Sequence, residues 1–256
     1  MSTDILSLSI IQGISEILPI SSSVNLHFFS KILHMNSFTF SLKVALHAGS
    51  LLTLLIYFRH EICDIFRGLF GKKHISETYL MALILGTLPV VIFGYLARDF
   101  VKEFDSPKIM GILSIIFGIL LYVFDKFGGV SKSTQRPVSL IKSFLIGCCQ
   151  TIAIFPGVSR LGICITASRL LGITRKEAIN FSLMLAIPSI CGSLCLEILD
   201  CYKRTAFFTT ETISGITITA LVGLVVILPC IRLMERHGFG ALALYRIIIG
   251  AAICML

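Results

Sequence analysis

Gln12-Gly13-Ile14-Ser15-Glu16-Ile17-Leu18-Pro19-Ile20-Ser21-Ser22-Ser23 interrupts one apolar run at its centre, and Gln150-Thr151-Ile152-Ala153-Ile154-Phe155-Pro156-Gly157-Val158-Ser159-Arg160 interrupts a second in the same way. Both stretches put proline, hydroxyls and amide or charged groups where lipid tolerates none. An unpaired carboxylate or guanidinium in a bilayer is expensive, so Glu16 and Arg160 are read first as parts of a site. The broken backbone is tolerated only where protein or a water-filled cavity covers it. Segments 4–30 and 143–171 are therefore expected to be re-entrant helical hairpins.

The rest of the chain supplies the bilayer setting. Its 256 residues are 55% hydrophobic and 14% charged, with a mean hydropathy of +0.93, far from a soluble domain. Runs approaching the roughly 20 residues that cross a membrane as helix predict spans near 38–58, 79–97, 109–124, 178–199, 212–229 and 239–256. The N-terminus has no basic region or small-residue cleavage site, so no removable signal peptide is expected. Most of the nine cysteines lie in apolar runs, in no zinc or redox spacing. The net charge of +8 sits in short loops and forms no stripe, so nucleic acid is not an expected partner.

Pro19 and Ser22 align with Pro156 and Ser159 at an offset of 137, and Phe40-Ser41-Leu42 with Ala45 recurs as Phe181-Ser182-Leu183 with Ala186 at an offset of 141. Repeat one covers about 1–125 and repeat two about 138–256. One hairpin and three spans per repeat turn the second copy upside down and bring the two breaks face to face near the midplane. The fold expected is an all-α polytopic membrane protein: an inverted-topology repeat with about six transmembrane helices plus two re-entrant helical hairpins. On that topology Arg59, Arg67, Lys72, Lys73, Lys126, Lys132, Arg136, Lys142, Arg175, Lys176, Arg232 and Arg236 fall on one side. Lys31, Arg98, Lys102, Lys108, Lys203 and Arg204 fall on the other. The richer side is expected to be cytoplasmic, with the termini and the first hairpin's mouth outside.

Each break precedes an apolar helical run, with Ser21, Ser22 or Ser23 capping the first and Pro156-Gly157-Val158-Ser159 the second. Free N–H groups and the positive end of a helix dipole then face each break, which makes an anion site. Arg160 adds a planar fork suited to phosphate oxygens. Together these describe a phosphate or diphosphate pocket. A carboxylate beside phosphate is repulsive unless it binds a cation or takes a proton, so metal ligand and general base are both open to Glu16. Ser22, held at a helix start beside a base, is the candidate nucleophile, although a capping and lining role fits all three serines too. Gln12, one turn before Glu16, either bonds substrate or holds Glu16. Lys43 and Glu197 are expected to reach water near the ends of their spans, and Arg246 to pair within the bundle. His47, four residues after Lys43 on a long apolar helix, reads first as a hydrogen-bonded packing residue, and His27, just past the serine run, either faces the cavity or does not.

At these residues the chain resembles the undecaprenyl-diphosphate phosphatase, or bacitracin-resistance, family over nearly its whole length. Gln12 with Glu16 fits its Glu/Gln-x-x-x-Glu element, and residues 18–23 fit its Leu-Pro-Ile-Ser-Ser-Ser/Thr continuation. Pro156-Gly157-Val158-Ser159-Arg160 followed by Gly162 fits its Pro-Gly-x-Ser-Arg-x-Gly element. Weaker support comes from residues 44–49, from 181–188 and from Tyr245-Arg246. The resemblance implies removal of the terminal phosphate from a C55 polyprenyl diphosphate, recycling the lipid carrier for cell-wall synthesis and conferring bacitracin resistance. It also implies a bacterial inner-membrane location, a site open to the periplasm and a divalent cation, Mg2+ or Ca2+. In family terms Glu16 is a catalytic or metal-linked acid, Ser22 the nucleophile and Arg160 the phosphate clamp, with Gln12, Ser21, Ser23, Asn25, Gly157 and Ser159 lining the substrate site. The chain departs from the pattern at Val24 and Asn25, where the family has Gly-His. Asparagine exchanges no proton near neutral pH, which turns attention to Glu16, His27 or His47 as the base. Leu161 stands where serine is usual. Broken midplane helices in inverted repeats are also a transporter architecture, so a polyprenyl-phosphate flippase is the alternative. A homodimer is compatible with the sequence.

Overall fold

The computed structural model describes residues 3–35, 39–71, 74–128, 138–202 and 209–256. Helices α1 (Thr3–Ser15) and α2 (Ser22–Ile32) form the first hairpin. They are followed by α3 (Phe40–Tyr57), α4 (Arg59–Gly71), α5 (His74–Leu96), α6 (Arg98–Lys102) and α7 (Pro107–Phe127). The second hairpin comprises α8 (Leu140–Gln150), a 3-10 turn (Thr151–Ile154) and α9 (Arg160–Leu170), and leads into α10 (Arg175–Tyr202), α11 (Thr210–His237) and α12 (Gly240–Met255).

Five of these helices, α3, α5, α7, α10 and α11, have the length and hydropathy to cross a membrane. Large apolar side chains face outward from the bundle, among them Ile141 at 76% and Val225 at 75% exposure, which suits a lipid surroundings and not water. The expected sixth span is α12, a 16-residue helix that reaches only about 24 Å at 1.5 Å per residue. Two connections expected as loops carry helices. One is the amphipathic α4, which turns Ile62 and Ile65 inward and Arg59, Glu61, Asp64 and Arg67 outward, as a helix lying at an interface does. The other is the single turn α6. Lys72, Lys73, Lys132, Arg136, Lys203 and Arg204 lie outside the described residues.

Helix pairing relies on small residues that let backbones approach, as is usual where lipid removes the hydrophobic drive. A Cβ on Gly111 of α7 would lie 2.5 Å from the carbonyl of Gly250 on α12, and one on Gly250 would lie 2.6 Å from the carbonyl of Gly111. Gly147 of α8 meets the backbone of Gly86 on α5 in the same manner. The first hairpin packs α1 on α11 and α2 on α12; the second packs α8 on α5 and α9 on α7.

A buried charge cluster ties the end of the second hairpin to its neighbours. Asp125, near the end of α7, accepts from Arg169 Nε at 3.2 Å, from Arg175 Nε at 2.8 Å and from the Phe239 N–H at 3.4 Å. Arg169 also donates to Ile173 O at 2.7 Å. Lys31, at the end of α2, donates to Leu256 O at 2.7 Å. Asp125→Ala would strand the buried Arg169 without a carboxylate, so a loss of about 3 kcal/mol is expected. Thermal unfolding in detergent checks this, and an unchanged Tm would refute it.

Candidate active site

The two breaks are built alike. Ser21 precedes α2 with φ +65°, and Ser159 precedes α9 with φ +69°, a region that side chains other than glycine's rarely enter. Such strain persists only where surroundings over-determine it, and it collects at functional sites. Ser159 caps α9, its Oγ accepting from the Gly162 N–H at 3.1 Å. Ser21 makes no capping bond and pairs instead with Ser23 Oγ at 3.1 Å. Ser23 in turn accepts from the Gly157 N–H at 3.3 Å, linking one break to the other. Gly157 cannot be replaced cheaply: its φ is +103°, and a Cβ would strike the Met110 carbonyl.

The breaks open into one cavity of about 740 Å³. Glu16, residues 21–23, residues 153–157 and residues 159–161 line it, together with Lys43 and His47 of α3 and facing surfaces of α5 and α10. Ser22 Oγ donates to Glu16 Oε2 at 2.6 Å, and Gln12 Nε2 donates to the same oxygen at 3.1 Å. His47 Nε2 lies 4.0 Å from it. His47 Nδ1 is 2.9 Å from the Lys43 carbonyl, which can only accept. Nδ1 therefore carries the hydrogen, and in the neutral ring Nε2 is left as the basic nitrogen facing Glu16. Arg160 lines the same cavity, and its buried Nη1 has no hydrogen-bond partner.

Glu16, Ser22, Arg160, Ser21, Ser23, Gly157, Ser159 and His47 thus meet at one cavity. The other sequence candidates stand elsewhere. Gln12 is fully buried behind Glu16 and also donates to Ser50 Oγ at 3.3 Å, so its geometry is that of a holder. His27 does not line the cavity. Asn25 is 2% exposed and lies behind the break: its Nδ2 donates to Ile20 O at 3.0 Å and to Ser21 O at 2.9 Å, while Tyr245 donates to its Oδ1. A histidine there would enter this packed brace and not the cavity. Asn25→His is accordingly expected to raise turnover by less than about twofold and to lower stability by about 1–3 kcal/mol; a large gain in phosphate release would refute this placement.

Three residues carry more than the sequence suggested. Lys43 and Glu197, assigned to span ends, both line the cavity. Arg246, assigned to pairing within the bundle, is fully buried and reaches both breaks. It donates to Pro19 O at 3.3 Å, to Gly157 O at 3.0 Å and to Val158 O at 2.8 Å. A guanidinium in the middle of an apolar helix, beside Tyr245, was the available signal.

The donor set limits any metal. Among the described residues no three His, Cys, Asp or Glu side chains gather into a metal site. Both side-chain hydrogen bonds to Glu16 fall on Oε2, so Oε1 is the carboxylate oxygen that could face a cation. That suits a hard cation held by one carboxylate plus substrate phosphates, the usual arrangement for Mg2+.

Fold and cavity together define a polytopic membrane protein with a cavity, lined by Glu16, Ser22 and Arg160, at two helix breaks. The chain belongs to the family described as Bacitracin resistance protein BacA, which matches residues 5–252. Among its relatives, the undecaprenyl-diphosphatase of Alcanivorax borkumensis is 34% identical, over 97% of this chain and 96% of its own. Undecaprenyl-diphosphatase 2 of Stutzerimonas stutzeri is 35% identical over 98% and 97%.

Proposed function

We propose that this protein is an integral membrane phosphatase that hydrolyses undecaprenyl diphosphate to undecaprenyl phosphate and inorganic phosphate, recycling the lipid carrier for cell-wall synthesis and conferring bacitracin resistance. One observation carries the reading: Ser22 donates to Glu16 at 2.6 Å in the cavity that Arg160 also lines. Family membership and relatives named for this activity support it over the flippase reading.

Helix starts at Ser22 and Arg160 and the Arg160 fork hold the diphosphate. Ser22 Oγ attacks the terminal phosphorus while its proton passes to Glu16 Oε2. The bond from that phosphorus to the bridging oxygen breaks, and undecaprenyl phosphate leaves with the electron pair. A phosphate monoester has its second pKa near 6, roughly, so this leaving group needs no acid, and an asparagine at position 25 does not block the step. His47 takes the proton from Glu16 and releases it to water. Glu16 then draws a proton from the water that attacks phosphoserine, and returns it to Ser22 as phosphate leaves. A divalent cation, Mg2+ or Ca2+, held by Glu16 and the phosphates would neutralise charge that builds on the transferred group.

The inverted repeat belongs to the same proposal, supported by matched breaks and by the crossed packing of α1 on α11 and α8 on α5. So does the location: the bacterial inner membrane, with the cavity opening to the periplasm, supported by the loop-charge bias. The test is phosphate release from undecaprenyl or farnesyl diphosphate by purified protein in detergent, with and without Mg2+ or Ca2+. Release well above an Arg160→Ala control is expected, and none above it would overturn the proposal.

A further inference from the structure

Among the described residues two arginines are almost completely buried, and they differ in one respect. Arg169, 4% exposed, has a carboxylate partner in Asp125 at 3.2 Å. Arg246, 0% exposed, bonds only carbonyl oxygens, and its Nε has no hydrogen-bond partner. Among the described residues no Asp or Glu lies within ion-pair distance of it. A buried cation without a counter-ion is costly, and a membrane protein retains one where it serves a function.

Its position says which function. The guanidinium sits behind both breaks, on Pro19 O of the first and on Gly157 O and Val158 O of the second. Gly157 and Ser159 line the cavity, so little more than one peptide separates the charge from any anion bound there. C=O and N–H of a trans peptide point opposite ways. A Val158 carbonyl held by Arg246 therefore aims the Ser159 N–H away from the guanidinium. The side chain thus joins the two breaks and adds a fixed positive charge to the field of the two helix starts.

We infer that Arg246 is a positioning residue of the diphosphate site, a buried cation whose counter-ion is the substrate's diphosphate. This rests on the phosphatase reading and deepens it: Arg160 touches the phosphates, and Arg246 acts on them through the backbone it holds and through its field. Tyr245, the preceding residue, bonds Asn25, which holds Ile20 O and Ser21 O. One turn of α12 therefore braces both hairpins.

The test is titration of inorganic pyrophosphate into full-length protein in detergent, beside kcat and KM for a polyprenyl diphosphate. Arg246→Gln removes the charge and should weaken pyrophosphate binding by about 30-fold, as expected for a near charge at low dielectric. Arg246→Lys keeps the charge and loses the fork. Its pyrophosphate affinity should stay within about fivefold of wild type while kcat falls by about tenfold or more. If Arg246→Gln gives no monodisperse protein, the lysine variant decides alone, since a purely structural arginine would not spare affinity while lowering kcat. Undiminished binding by Arg246→Gln, or a 30-fold loss of affinity in Arg246→Lys, overturns this inference alone. Wild-type protein that neither binds pyrophosphate nor releases phosphate overturns the phosphatase reading and this inference together.

Discussion

Ser22→Ala should lower kcat by about 10³ to 10⁴ and leave KM within a few-fold of wild type, because it removes the attacking atom and little that binds substrate. In barrier terms that is about 4 to 5.5 kcal/mol. The alternative chemistry, water activated directly by Glu16, predicts something else: Ser22 then contributes one hydrogen bond to Glu16, and its loss costs about tenfold. The two outcomes are far enough apart for a phosphate-release assay to separate them. The variant should fold, since Ser22 is only partly buried and makes its single side-chain bond to Glu16. A kcat within tenfold of wild type would eliminate the serine nucleophile and leave the water route.

Arg160→Ala should cost about 10³ in kcat/KM, the scale lost when a fixed cation that stabilises transition-state charge is removed. Arg160→Lys should recover only part of this, remaining about 10 to 100-fold below wild type, because an ammonium cannot present two parallel donors to a phosphate. Stability is the control. Arg160 forms no ion pair among the described residues, and one of its nitrogens is buried without a partner, so truncation should change Tm little. A folded Arg160→Ala variant with kcat/KM within tenfold of wild type would refute its role. Collapse of its Tm would show a structural tie absent from the geometry described above.

Much of the cavity's lining is legible in the sequence. Glu16, the serines, Gly157 and Arg160 break hydrophobic runs, and polar groups inside apolar helices stand out on composition alone. The hairpins follow from the same breaks, and the spans from hydropathy. What escaped were features with no local signature. Helix α4 is too polar and too short to register as a span, and it reads as a charged loop until Ile62 and Ile65 are seen to turn the same way. Asn25 was assigned to the substrate site because it adjoins the serine run, whereas its buried side chain is drawn back to the carbonyls of Ile20 and Ser21 and to Tyr245, contacts that no local pattern announces. Lys43 and Glu197 looked like end-of-span residues, since a helix that is apolar nearly all round does not reveal which stripe faces a cavity.

The sequence by itself determined that the chain lives in a membrane, where its helices break, and that the breaks carry an acid, a hydroxyl and a guanidinium. Those are properties of short segments, set by what lipid excludes. Only the tertiary structure decided which of these groups meet: His47 beside Glu16, Ser23 across to Gly157, Tyr245 on Asn25, and Arg246 spanning both breaks. Each contact joins elements distant along the chain, Arg246 and Pro19 being 227 residues apart. Such pairings arise from helix packing, from glycines such as Gly111 and Gly250 that let α7 and α12 close to backbone contact, and no local run of residues encodes them.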